Sequence, residues 1–174
     1  MNKKIIFILI SFSWIIIAAG MVFMKQYTMN TGRAVLLETV PVDPRDFLRG
    51  DYVVLNYKIS SIDLKSVQSE KEYYSWDEKV YVKLAPRNGF WEPVAVQTKK
   101  CLSKDDVCIK GKVKYSRKGK ADIVYGLESY FVPEGEGRII EENMRGQKAS
   151  VAVEAVVDAS GNALIKSVFV DKNN

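Results

Sequence analysis

The run Ile5–Met24, IIFILISFSWIIIAAGMVFM, contains no charged residue. As a helix rising 1.5 Å per residue, it matches the roughly 30 Å hydrocarbon core of a bilayer. It is apolar on every face, so a globular protein would give it no polar side to turn toward water. Secretory leaders have a shorter apolar core, about 7–15 residues. The small residues Ala18-Ala19-Gly20 nevertheless leave cleavage open. Residues 1–25 are therefore expected to form an N-terminal transmembrane anchor that contacts the lipid bilayer. Lys3, Lys4 and the terminal amine precede the run, and Lys25 and Arg33 follow it. That bias of positive charge favours a cytoplasmic N-terminus, a single-pass topology and an exported remainder, periplasmic or extracellular.

The chain carries 26 basic and 21 acidic residues. Three of the basic ones, Lys3, Lys4 and Lys25, flank the apolar run, so the remainder is close to neutral. Its sequence pI of about 9.1 is thus no sign of a nucleic-acid partner, which calls for a clustered basic face. The basic cluster that exists runs from Lys99 and Lys100 through Lys110, Lys112, Lys114, Arg117, Lys118 and Lys120. Lys110, Lys112 and Lys114 share one strand face, which reads as a solvated sheet edge or a contact for anionic lipid. The two cysteines, Cys101 and Cys108, flank the turn-like Lys104-Asp105-Asp106. If that turn joins two paired strands, the sulfurs face each other, and an exported compartment permits the bond; two free thiols are the alternative.

Residues 26–33 read as a short polar tether and residues 34–172 as one domain, without a Pro/Gly/Ser-rich linker or an internal repeat. Alternation dominates this part. Leu36–Val40 reads as a first strand. In Tyr52–Ile59, Val53, Leu55, Tyr57 and Ile59 share one face. Val80, Val82 and Leu84 alternate with Tyr81 and Lys83, and Pro86-Arg87-Asn88-Gly89 turns the chain into a second arm, Phe90–Thr98. Pro93 marks an edge or a bulge in that arm. Ile109, Val113 and Tyr115 continue the pattern, followed by Ile123–Tyr125, Val151–Val157 and, after Ser160-Gly161-Asn162, Leu164–Val170. Short helices are expected from Asp43-Pro44-Arg45-Asp46 to Gly50 and over Gly137–Arg145. Ile62–Trp76 is open between helix and loop. The expected fold is mainly β: one transmembrane helix, then a compact antiparallel barrel or sandwich with two or three short helices.

Histidine is absent, which excludes histidine triads and cysteine–histidine zinc sites. A serine–lysine pair at Ser60, Ser61 and Lys58 is the remaining nucleophilic arrangement, but serines beside lysines at strand ends are common. A signal-peptidase-like enzyme would need a serine soon after the apolar run, and residues 26–40 contain none. No glycine-rich phosphate loop opens a helix. No cofactor, no metal site and no catalytic residue is expected.

Gly50-Asp51-Tyr52 followed by Leu55 and Tyr57 reads G-D-Y-x-x-L-x-Y. With the preceding DPRDFLRG, the Tyr81–Leu84 strand, the Ile109-Lys110-Gly111 turn and YFVPEGEGR, the chain resembles the GDYXXLXY family of membrane-anchored bacterial proteins over about Val40–Val170. The family has no assigned activity, and its members are often encoded beside polytopic membrane proteins. The resemblance therefore implies an anchored exported domain and a polytopic partner, and no catalytic residues. The cysteine pair is not part of the family pattern.

Two charged segments stand out. Arg45, Asp46, Arg49 and Asp51 alternate in sign beside Gly50, Tyr52, Leu55 and Tyr57. Glu134, Arg138 and Glu141 do so beside Tyr130, Gly135 and Gly137. Either the segments clamp each other, Arg45 or Arg49 binding a carboxylate of Glu134–Glu141, or they line a recognition groove. Leu55 and Tyr57 are expected in the core, with Tyr52 packed under the first short helix. The expected function is non-enzymatic: an anchored domain that binds or stabilises a membrane-protein partner. A ligand- or lipid-binding module is the alternative, and behind both stands a hydrolase-like enzyme.

Overall fold

The computed structural model describes residues 3–40, 52–103, 105–131 and 149–172. Its single α-helix among these, α1 (Lys3–Thr31), is long and apolar enough to cross a membrane, and the protein covers none of that span. Among the described residues twelve strands follow: β1 (Arg33–Val40), β2 (Tyr52–Val54), β3 (Asn56–Tyr57), β4 (Ser61–Asp63), β5 (Gln68–Ser69), β6 (Lys79–Arg87), β7 (Phe90–Gln97), β8 (Val107–Arg117), β9 (Lys120–Val124), β10 (Ser129–Phe131), β11 (Ala149–Val157) and β12 (Ala163–Lys172). They form a four-stranded sheet ordered β12-β11-β1-β3, a six-stranded sheet ordered β4-β9-β8-β6-β7-β5, and a ribbon of β10 and β2.

The architecture is sandwich-like. Val35 and Leu37 of β1 and Val151, Val153 and Ala155 of β11 meet Val80 and Val82 of β6 and Ile109 and Val113 of β8 in one core. Period-two alternation produces it: in β6 the residues Val80, Val82 and Leu84 are buried while Tyr81 and Lys83 face out. The β6–β7 hairpin closes on Asn88-Gly89 alone, with φ of +49° and +84°. Both central residues of a two-residue hairpin turn need positive φ, which asparagine and glycine supply most readily. Lys118-Gly119 repeats that geometry between β8 and β9. Pro93 adjoins a shift in register between Lys83 and Leu84, so the bulge expected there is present.

Several expectations need correction. Tyr52–Ile59 is not one strand: β2 pairs with β10, β3 pairs with β1, and Lys58–Ser60 is a turn of 3-10 helix. The chain changes partners at Leu55, although Leu55, Tyr57 and Ile59 stay buried as the alternation requires. The lysine-bearing strand β8 is central rather than an edge, because β9 and β6 both pair with it; its lysines lie on an outer face, and Gly111 lies mid-strand rather than in a turn. Tyr115 is half exposed because the register shifts between Val113 and Tyr115 and reverses the faces. Residues 26–31 are not a tether but the last turns of α1, which contain no glycine or proline before Gly32. Ile62–Trp76 resolves into β4, turns and β5 without a helix. The two short helices expected at 43–50 and 137–145 lie outside the described residues.

Cys101 and Cys108 are joined in a disulfide. It does not bridge paired strands. β6 separates β7 from β8 in the sheet, so the 98–106 connection passes across β6, and Cys101 lies in that connection. Lys83 on the outer face of β6 pairs with Asp106 at 2.9 Å below it. Loop-closure entropy for a cross-link of this span contributes about 2–3 kcal/mol. Cys101→Ser is expected to lower the unfolding free energy by about that amount in denaturant titrations. Peptide mapping that recovers both thiols free from protein made in its native compartment would overturn this.

Candidate functional site

The signature segment is tied to the turn between β9 and β10 through its last tyrosine. Where the chain changes partners, the Leu55 N–H donates to the Glu128 carbonyl at 2.8 Å. Two residues on, the Tyr57 hydroxyl donates to the Leu127 carbonyl at 2.7 Å. The exchange is reciprocal, because the Tyr125 hydroxyl donates to the Ile59 carbonyl at 2.7 Å. The Glu128 carboxylate closes the intervening turn by accepting the Tyr125 and Gly126 N–H groups at 2.6 and 2.8 Å. Burial, and secondarily the Glu128 charge, pushes both phenols above their ordinary value near 10. They are held as neutral donors to backbone carbonyls, which suits a structural latch rather than acid–base chemistry.

Of the residues singled out by the sequence, Arg45, Asp46, Arg49, Gly50, Asp51, Glu134, Gly135, Gly137, Arg138 and Glu141 lie outside the described residues, and so does any packing of Tyr52 under a helix at 43–50. The strands that frame both charged segments do converge. Val40 pairs with Asn56, Phe131 with Tyr52, Tyr130 with Val53, and Glu38 with Ala152 on β11. The ends that lead into and out of both segments thus lie at the Val40 end of β1. Seven strand steps, about 23 Å, separate that end from Arg33 beside α1.

A cleft of about 720 Å³ opens beside these ends, lined among others by Val40, Asn56, Ser60, Lys114, Tyr115 and Glu128. Among the described residues, Ser60 Oγ is buried without a hydrogen-bond partner. Lys58 bonds Glu38 and Glu92 at 3.0 and 3.2 Å. The hydrogen bond to Glu38 leads the causes that raise its pKa, the opposite of what a lysine base beside serine needs. Among the described residues there is no group of three or more His, Cys, Asp or Glu placed to hold a metal.

A second cluster joins α1 to the domain, and no local sequence signal announces it. The Thr28 hydroxyl donates to Asp158 Oδ2 at 2.8 Å, and Thr28 is buried. Asp158 also accepts the Ser160 and Asn162 N–H groups and the Asn162 amide. Burial works to raise its carboxyl, but the hydrogen bonds from Asn162, Thr28 and Ser160 prevail and hold it below the usual range. Gly32 lies so close to β11 that a Cβ there would stand 2.6 Å from the Thr28 carbonyl and 3.0 Å from that of Val157. Arg33 Nη1 donates to the Asp105 carbonyl at 2.7 Å, tying the disulfide loop to the same junction.

A family model described as GDYXXLXY protein matches residues 14–168. No curated protein and no solved structure matches the chain.

Tyr57→Phe strands the buried Leu127 carbonyl and is expected to cost about 1–3 kcal/mol, with Tyr125→Phe similar at Ile59. The phenols of the unfolded chain ionise near pH 10, while the folded state retains both protons. The folded state thus binds more protons, and stability falls as pH rises from 10 toward the folded values. Denaturant midpoints measured from pH 8 to 11 should fall less steeply in the double phenylalanine variant than in the native chain.

Proposed function

The chain belongs to the GDYXXLXY protein family, and on that premise we propose that it is a non-enzymatic, membrane-anchored exported domain that binds or stabilises a polytopic membrane-protein partner. The observation that carries this reading is the mount. α1 runs without a break from its apolar span to Thr31, and the Thr28–Asp158 bond and the Gly32 approach fix the domain on its end. A domain so mounted is held close to the bilayer and does not sweep solution on a flexible linker. That suits contact with a neighbour in the same membrane. The two charged segments begin and end at the far end of β1, and they are proposed as the recognition elements. The cleft beside Ser60 favours a second reading, a small polar ligand bound there.

The proposed topology is N-in and C-out with the anchor retained. A reporter fused after Asn174 should behave as exported, and the mature chain should keep Met1 or Asn2. A new N-terminus near Met21 would refute retention of the anchor.

Recognition is tested at Arg49. Arg49→Ala is expected to leave the melting temperature nearly unchanged and to abolish co-purification of a polytopic partner identified by cross-linking in native membranes. If Arg49 instead clamps the domain through a buried carboxylate, the same change costs about 3–5 kcal/mol and the melt reveals it. A variant that alters neither would sink both readings.

A further inference from the structure

We propose that the connection pinned by the disulfide beside the end of α1, from Thr98 to Ser103, is a lipid-contact site that seats Leu102 and the two lysines before it on the anionic headgroups of the bilayer crossed by α1. The proposal rests on the anchor reading above and adds a surface to it.

Height comes first. Met24 ends the apolar run, and from Lys25 to Thr31 the helix rises about 9 Å. The polar zone on each side of a bilayer is roughly 5–8 Å thick. α1 therefore ends at the outer boundary of the headgroups, where the domain is fixed to it. The disulfide loop lies at this level: Thr31, Arg33, Cys101, Leu102 and Asp158 line one cleft of about 460 Å³, and Arg33 is bonded to Asp105.

The loop's chemistry then selects the occupant. Leu102 is 100% exposed, so the domain makes no use of its side chain. The disulfide at Cys101 fixes the backbone beside it, so little further ordering is needed for contact. Lys99 and Lys100 precede it and are exposed. Of the acids nearby, Asp106 is paired with Lys83, Glu70 accepts the Thr98 N–H and hydroxyl at 2.8 Å each, and Asp105 is exposed on the far side of the loop from Lys99 and Lys100 in the chain. An exposed apolar side chain preceded by two cations matches an anionic interface, with apolar matter beneath a negative surface.

The test uses the full chain in nanodiscs of phosphatidylcholine with or without phosphatidylserine, carrying a benzophenone side chain at position 102 or, as control, at 76. Trp76 is also highly exposed, but it precedes β6 at the end of the sheet away from Val107. Irradiation should give lipid adducts from position 102 in the anionic discs, several-fold above the neutral discs and above position 76. Lys99→Glu with Lys100→Glu should remove most of that difference. A chain that stays in the disc but gives no more adduct at 102 than at 76 overturns the lipid site and leaves the anchor reading standing. Equal yields in the two lipid compositions overturn the headgroup assignment. A chain that does not co-elute with discs overturns the anchor reading and this proposal together.

Discussion

The reciprocal bonds of Tyr57 to the Leu127 carbonyl and Tyr125 to the Ile59 carbonyl tie the chain just after its change of ladder to the turn between β9 and β10. The chain needs them because it leaves one ladder and joins another at Leu55, passing from the β2–β10 ribbon to the β1–β3 pair. A change of ladder releases backbone carbonyls in a region that water does not reach, where each unpaired group costs about 1–3 kcal/mol. The two tyrosines satisfy the carbonyls and fill the core with their rings. This gives the L-x-Y part of the signature a physical role: Leu55 marks the change of ladder and packs the core, and Tyr57 pairs the Leu127 carbonyl of the adjoining turn. Gly111 belongs to the same arrangement, since a Cβ there would come within 3.1 Å of the Tyr125 ring.

The parts legible in the sequence are those set by local pattern. The β6–β7 hairpin follows from alternation on both sides of Asn88-Gly89, and β11–β12 follows from the same signal around Ser160-Gly161-Asn162. The apolar span of α1 follows from composition alone. The illegible parts depend on partners distant in the chain. Tyr52–Ile59 alternates faultlessly, yet it is broken because β10 claims one half and β1 the other. Tyr115 occupies an inward position by count, and a register shift beside Lys114 turns it out. Lys110, Lys112 and Lys114 resemble an edge because a central strand with one solvated face has the same alternation. The helix beyond Lys25 looked like a tether because its polar residues gave no hint that Thr28 would meet Asp158, 130 residues away.

The cysteine pair was legible as a pairing but not as a geometry. Spacing alone suggested a cross-link between neighbouring strands, whereas β6 lies between them and the connection must pass over it. The bond therefore restrains a crossing segment that no ladder supports. Through Arg33 and Asp105 that segment is fastened to the foot of β1, next to the helix. The charged residues of the segments Asp43–Tyr57 and Tyr130–Glu142 lie outside the described residues, while the strands that adjoin them, β2 and β10, are paired through Tyr52 and Phe131.

β1 gives the domain its polarity. At Arg33 it is continuous with the helix through Gly32, held by Thr28, Asp158 and the disulfide loop; at Val40 it leads into the signature segment. Eight residues of one strand thus connect a mount to the segments that distinguish the family. The strand is paired by β11 along most of its length, so it transmits position with little give. The proposed recognition surface would thus stand at a set distance from the mount. Contacts at the fixed end need only oppose tilting, which a few polar bonds and one close backbone approach accomplish. The tyrosine latch lies just beyond Val40 in the chain, where Tyr57 of β3, paired with Thr39, donates to the Leu127 carbonyl.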